Sequence, residues 1–328
     1  MIDDSELRLL AESVRRAVQP LEAGSPVRPE PGEFWRAAGA AGWTGGDLPA
    51  TAVYTIAREL GAGGIFGVYA DSVPLASVLS GHTADPRVAA VTAELAAGEA
   101  QVAFVDGARL PERRELVRPS WPAPAKRYGA IVRPGRLDLV TLTGGEPLTT
   151  SAAEPADAVP ADAEVVTCSV AVADEVLERA RLMRDLVACA QLTGAHRYLL
   201  GLTCDFATTR VQFGRPIVEF QGLRHVLVDV FSWLEAAELL LAEAFATADR
   251  TGELPERSRA AVVFVRGRAW WALQRAYEVL GGVGFMTEHP LNHYTREMLV
   301  SLAAIGSQDS HAETMAELIR PRGWLRAS

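Results

Sequence analysis

The chain has 328 residues, 49% of them hydrophobic, and a formal charge of −9. This length and apolar content allow a sizeable core, arranged as one large domain or two to three small ones. The acidic balance, with arginines interspersed among acids, argues against a nucleic-acid surface, which needs clustered basic side chains.

From Asp3 to about Glu99 the apolar spacing is helical, as in SELRLLAESVRRAV, TAVYTIARELGAG and DPRVAAVTAELAAG. Glycine, proline or a turn closes each segment. The acidic start, MIDDSELRLL, is unlike a signal or transit peptide, and no apolar run reaches the roughly 18 residues that span a bilayer. A cytoplasmic protein with a small-molecule or protein partner is therefore expected, with no membrane contact.

Between Gln101 and Val166 the character changes to short β-branched stretches, QVAFVDGA, YGAIVRPGRLDLVTL and AEVVTCSV, separated by Pro, Gly and Asp. These read as strands and hairpins. The stretch SAAEPADAVPADA, residues 151–163, is rich in Ala, Pro and acids and reads as a surface loop.

Helical spacing returns over 174–209, 217–249, 255–280 and 290–320. In the second segment Phe220, Leu223, Leu227, Val230 and Leu234 form one stripe. Long helices of this kind pack as an antiparallel bundle. The expected α+β organisation is an N-terminal helical domain (1–100), a small β module (101–168) and a C-terminal four-helix bundle (169–328).

Cys168, Cys189 and Cys204 are far apart in apolar surroundings, which suggests packing rather than a disulfide framework or a zinc site. His289 and His293 are four apart, but Pro290 stands between them and no third ligand is evident, so structural roles are expected and no metal. His196, His225 and His311 read as solvated or hydrogen-bonded helix residues. The acid-rich LEAAELLLAEAFATAD reads as an exposed helix face.

Two stretches carry chemistry. In RVQFGRPIVEFQ, residues 210–221, Arg210 offers a planar fork of donors suited to a pyrophosphate or carboxylate, and Gly214 allows a sharp corner before the next helix. The alternative is an arginine that offsets a helix macrodipole. In YEVLGGVGF, residues 277–285, Gly281 and Gly282 follow a helix rather than a strand, which excludes a Rossmann turn or a P-loop. A double glycine there stops a helix and also exposes bare backbone to a ligand.

Together these stretches resemble the flavin signature of the acyl-CoA dehydrogenase family: an Arg-x-x-Phe-Gly element, then Gln-x-x-Gly-Gly-x-Gly-Phe, matched here except that Glu278 replaces the glutamine. AAGW ending at Trp43, ARELG from Ala57, SVPLASVLSG from Ser72 and ELAAGEAQVAF from Glu94 resemble the family's N-terminal helices in order. The resemblance implies FAD. It puts Arg210 and Gln221 at the diphosphate or adenine end, Phe213 beside it, and Gly281 and Gly282 against the cofactor of a neighbouring subunit, with Ser307 also on the cofactor side.

The implied reaction removes a proton α to a thioester while hydride leaves the β carbon for the flavin. Where the family's Tyr-Glu-Gly-Thr supplies a glutamate base, this chain reads Ala304, Ile305, Gly306 and Ser307. Isoleucine accepts no proton. Some members carry the base on the helix that enters the bundle, where Asp185 is a candidate one step out of register; the competing role is a salt bridge or packing. The family's Thr-Glu-Pro and Gly-Ser β-domain motif has no counterpart after QVAFVDGARLPERREL.

The resemblance therefore implies a degenerate partner subunit. It would complete an FAD pocket in a hetero-oligomer with a paralogous acyl-CoA dehydrogenase chain that supplies the base for an acyl thioester. One alternative is a self-sufficient homo-oligomeric flavoenzyme of secondary metabolism with a non-standard base. Another is a cofactor-free, repurposed scaffold.

Overall fold

The computed structural model describes residues 3–18, 31–106, 115–117, 126–142, 147–149, 155–159, 166–255, 258–305 and 308–320. Asp3 caps α1 (Asp4–Ala17): its Oδ1 accepts from the Ser5 and Glu6 backbone N–H groups at 2.8 and 2.9 Å, and the Glu6 carboxylate accepts from the Asp3 N–H at 3.0 Å. This reciprocal pairing satisfies donors that the first helical turn leaves free. Helices α2 (Pro31–Ala40), α3 (Ala50–Ala62), α4 (Val68–Ser80) and α5 (Pro86–Ala96) follow. Asp85 caps α5 with Pro86 in its first turn.

The chain forms two compact units that interleave along the sequence. One comprises Val27–Val53 and Ile65–Val187, the other Met1–Pro26, Tyr54–Gly64 and Ala188–Ser328.

In the first unit, β1 (Ala100–Asp106), β3 (Lys126–Arg133), β4 (Arg136–Thr141) and β7 (Val166–Ala171) form a sheet in the order β1-β3-β4-β7. β1 and β3 are parallel and the other pairs antiparallel. Alternation along the strands decides the faces. Ala100 and Val102 join a core with Leu75, Leu79, Val88 and Leu95 from α4 and α5, while Ala103 and Val105 meet Ile131 and Val140 in a separate cluster.

β1 is an edge strand, and α4 covers it. The Ser72 hydroxyl bonds both the N–H and the C=O of Val102 at 3.1 Å. Asp71 accepts from the Phe104 N–H at 3.3 Å and from Arg184 Nε at 2.8 Å. These contacts occupy backbone groups that an open edge would offer to another chain.

The expected loop at 151–163 contains a strand. β6 (Pro155–Val159) lies between β2 (Glu115–Val117) and β5 (Pro147–Thr149) in a three-stranded antiparallel sheet. Composition missed it because Pro155 suggests a break, whereas proline is tolerated as the first residue of a strand.

The second unit is a helical bundle. α6 (Asp174–Thr209) enters it with the expected limits, followed by α7 (Gln221–Thr251), α8 (Arg259–Leu280), α9 (Pro290–Ile305) and α10 (Gln308–Ile319). The second long helix starts at Gln221 rather than 217. Strands β8 (Val211–Gln212) and β9 (Arg215–Pro216) and a 3-10 turn (Ile217–Glu219) occupy the preceding residues. The expected 290–320 segment is divided into α9 and α10, with 306 and 307 outside the described residues.

Ring contacts and charge pairs join α6 to its neighbours. His196 meets Trp233 edge-on at 5.1 Å, and Tyr198 stacks on Tyr294 at 5.2 Å. Arg197 reaches Glu235 at 2.6 Å and Glu238 at 2.9 Å, so part of the acid-rich face of α7 is spent on α6. Glycines set the approach of α3 to α6. A Cβ on Gly61 would lie 1.9 Å from the Gln191 carbonyl oxygen, and one on Gly194 would lie 1.9 Å from that of Arg58; no side chain fits at either contact.

Candidate functional site: an arginine hairpin and a glycine turn at one end of the bundle

α6 ends at Thr209, and Arg210 directs the chain into a hairpin. Its N–H closes on the Phe206 carbonyl at 2.9 Å, and its own carbonyl accepts from the Ile217 N–H at 2.8 Å. Between the two-residue strands, Phe213 and Gly214 take φ values of 51° and 83°. A tight two-residue hairpin of type I′ needs positive φ at both central positions, a conformation that costs a non-glycine residue about 1 kcal/mol or more. Phe213 accepts that strain while 92% exposed, so its ring is presented outward rather than buried.

The rest of the hairpin is cationic. The Arg215 guanidinium lies over the Phe220 ring at 4.3 Å, and Phe213 meets the same ring edge-on at 6.1 Å. Phe220 is the N-cap of α7 and no side chain caps that helix, so the free N–H groups beside exposed Gln221 add a positive dipole end. Arg210 is exposed, and its guanidinium has no charge partner among the described residues.

The glycine turn closes α8. Gly281 caps the helix at φ 59° with its N–H on the Tyr277 carbonyl, and a 3-10 turn runs over Gly281–Phe285. The turn packs back on the helix through Tyr277 and Phe285, whose ring centroids are 4.6 Å apart, and the Tyr277 hydroxyl meets that of Thr295 at 2.8 Å. A Cβ built on Gly214, Gly281 or Gly282 meets nothing within 4 Å. Backbone is therefore open to a ligand at both elements.

One apolar cluster joins the two elements. Ala207 from α6, Ile217 and Val218 from the turn after the hairpin, Leu223 and Leu227 from α7, and Val279 from the last turn of α8 pack together. Thus Arg210, Phe213 and Gln221 share one end of the bundle with Gly281 and Gly282. The arrangement can receive an anionic group with a flat apolar part: unpaired guanidinium, helix dipole and bare backbone for the charge, exposed rings for the rest.

The remaining candidates lie elsewhere. Ser307 lies outside the described residues. Asp185 belongs to the other unit, where it is 8% exposed and engaged in an interaction. Ile305, at the aligned base position, is buried at the end of α9. The segment after β1 that would carry the family's flavin-lining motif falls in the undescribed 107–114.

The two spaced histidines have separate structural uses. His289 Nδ1 accepts from the Leu291 N–H at 3.2 Å at the start of α9, and burial pushes the His289 pKa down. His293 Nε2 lies 3.3 Å from the Gly64 carbonyl. Cys204 packs into the apolar cluster, and burial pushes its thiol pKa up.

Residues 170–319 match the family described as "Acyl-CoA dehydrogenase, C-terminal domain". That span contains both the Arg210 hairpin and the glycine turn. The matched span is a little under half of the chain.

Among curated relatives, the 3-sulfinopropanoyl-CoA desulfinase of Variovorax paradoxus is 33% identical over 125 residues, which cover 36% of this chain and 31% of that protein. The match thus spans about a third of the relative's length. The fold likeness is longer. The ChsE4–ChsE5 complex of Mycobacterium tuberculosis matches with a TM-score of 0.78 at 17% identity, over 100% of this chain and 99% of the other. A glutaryl-CoA dehydrogenase of Mycobacterium smegmatis, in complex with FADH2, matches at 0.75 and 16% identity, over 99% and 97%.

In the matched span, sequence reasoning overlooked two arginines. Arg215 follows the signature glycine directly, and its stacking on Phe220 was signalled only by an aromatic at the coming helix start. Arg275 precedes Glu278 by three residues, the spacing of an ion pair on one helix face, and Arg275 Nη2 lies 2.6 Å from Glu278 Oε1.

Proposed function

We propose that this chain is a flavoprotein subunit of an acyl-CoA dehydrogenase-type oxidoreductase, grasping the diphosphate and adenine end of FAD while a paralogous partner chain supplies the catalytic base. The observation that carries the reading is the joined end of the bundle: Ile217 and Val218, just after the hairpin that bears the unpaired Arg210 and the outward Phe213, pack in one apolar cluster with Val279, two residues before Gly281. The local chemistry fits the cofactor, since open backbone at Gly214, Gly281 and Gly282 lets phosphate oxygens approach N–H groups. The misplaced charge of Glu278 is offset by Arg275.

When bound, FAD accepts the hydride that leaves the β carbon of an acyl thioester. This chain's residues serve binding. Arg210 and Gln221 hold the diphosphate or adenine end, the Phe213 ring excludes water beside it, and Gly281 with Gly282 approaches the cofactor of the neighbouring subunit. The base comes from outside this chain, because Ile305 holds no exchangeable proton and is packed away. Val211, Phe213, Val283, Phe285 and Met286 are all exposed, an apolar margin that suits burial against another subunit.

The direct test is FAD titration of the assembled protein with Arg210→Ala. Loss of about tenfold or more in affinity with an unchanged fold supports the reading, since hydrogen bonds to charged groups contribute about 1.5–3 kcal/mol. Unchanged affinity contradicts it.

A further inference from the structure

Among the described residues of the bundle, three buried side-chain nitrogens have no hydrogen-bond partner: His196 Nε2 on α6, Trp233 Nε1 on α7 and Arg275 Nε on α8. His196 is 2% exposed. Its ring is fixed from two sides, by the edge-on contact with Trp233 at 5.1 Å and by a hydrogen bond at the Ala269 backbone. A ring N–H donated to that carbonyl makes Nδ1 the protonated nitrogen and leaves Nε2 as a bare acceptor.

Beside it lies a cavity of about 10 Å³, lined by His196, Leu199, Thr203, Leu227, Val230 and Arg275 among others. Such a cavity has room for one water molecule if polar partners face it. The two polar groups are complementary in an informative way. Nε2 needs a donor, and the Arg275 Nε–H needs an acceptor. An anion could serve the arginine but not the imidazole, and a cation the reverse. Water serves both.

We propose that one ordered water is bound between α6 and α8, donating to His196 Nε2 and accepting from Arg275 Nε–H. The Thr203 hydroxyl, which donates to the Leu199 carbonyl at 2.6 Å, keeps free lone pairs for the water's second hydrogen. The site satisfies groups whose burial unpaired is costly. It also fixes Arg275, whose Nη2 holds Glu278 just before the Gly281 turn. His196 is thus a positioning residue, and the site stands independently of the cofactor reading.

The test is a high-resolution crystal structure of the protein, alone or in its natural complex, with a His196→Phe variant that removes the acceptor. The expected result is a water peak within hydrogen-bond distance of both Nε2 and Arg275 Nε, absent in the variant. A dry cavity, or a peak that persists unchanged in the variant, overturns the proposal. Histidine-selective ¹⁵N spectra of the unmodified protein supply a second measurement if the variant does not fold. A neutral Nδ1–H ring with a hydrogen-bonded Nε2 is expected, and an Nε2–H ring overturns the site.

Discussion

Arg275 holds Glu278 at 2.6 Å one helical turn before Gly281 closes α8. The pair places a carboxylate and its counterion where the resembled family has a neutral glutamine. Under the proposed cofactor reading, removing the cation exposes a negative charge toward the FAD phosphates. In FAD titrations of the assembled protein, Arg275→Ala is expected to weaken binding about two- to fivefold, the scale of a partly exposed ion pair. Glu278→Gln in the same background should restore it. Weakening that persists in the double variant would assign the effect to lost packing instead.

Phe213 has a left-handed backbone and an exposed ring, two unfavourable features at one position. Asparagine tolerates that conformation better. Phe213→Asn is expected to stabilise the lone chain by up to about 1 kcal/mol and to lower flavin retention in the assembly. Thermal denaturation and the bound-flavin ratio measure the two effects. A destabilised lone chain would show that the ring serves this chain's own fold.

His196 predicts an acid limb in stability. Burial pushes its pKa down from 6.5 to about 3, so the unfolded chain takes up a proton before the folded one does. The contribution is fully present above pH 6.5 and is lost as pH falls toward 3, by at most about 1.4 kcal/mol per pH unit. Among the described residues, the polar or aromatic groups beside the ring are Arg275 on α8, Trp233 on α7 and Thr203 on its own helix, with Leu199, Leu227, Val230 and Ala272 among the apolar neighbours; none of these is a carboxylate that would stabilise the imidazolium. Denaturant unfolding at a series of pH values should show this slope, and His196→Phe should flatten it.

Asp185 distinguishes a helper subunit from a self-sufficient enzyme. It is buried and already engaged, so Asp185→Asn is expected to leave turnover by the assembled protein within about twofold. A collapse of turnover with flavin content intact would make this carboxylate the base.

The sequence was most informative where a single period ran long. The limits of α6 followed from apolar spacing alone, and the stripe Leu223, Leu227, Val230 and Leu234 fell inside α7. Short elements were not legible. β6 was hidden by Pro155, and β8 with β9 took residues that helical spacing had assigned to a longer helix. At the candidate site, Arg210 and the glycines were singled out by the resemblance of their two motifs taken together, since each alone reads as an ordinary helix end. Their convergence was not, since it depends on Ala207, Ile217, Leu227 and Val279 meeting in space. Of the two readings of His196, solvated or hydrogen-bonded, the second holds at the Ala269 backbone, and its burial was not legible because no local pattern announces it.

The central claim, that the chain grips FAD but depends on a partner for chemistry, is tested most directly by flavin absorbance and acyl-thioester dehydrogenation of the chain purified alone and co-expressed with a paralogous acyl-CoA dehydrogenase chain. The account predicts a colourless or inactive lone chain, and a yellow, active complex that loses its flavin on Arg210→Ala. Full flavin occupancy and turnover by the lone chain would contradict it.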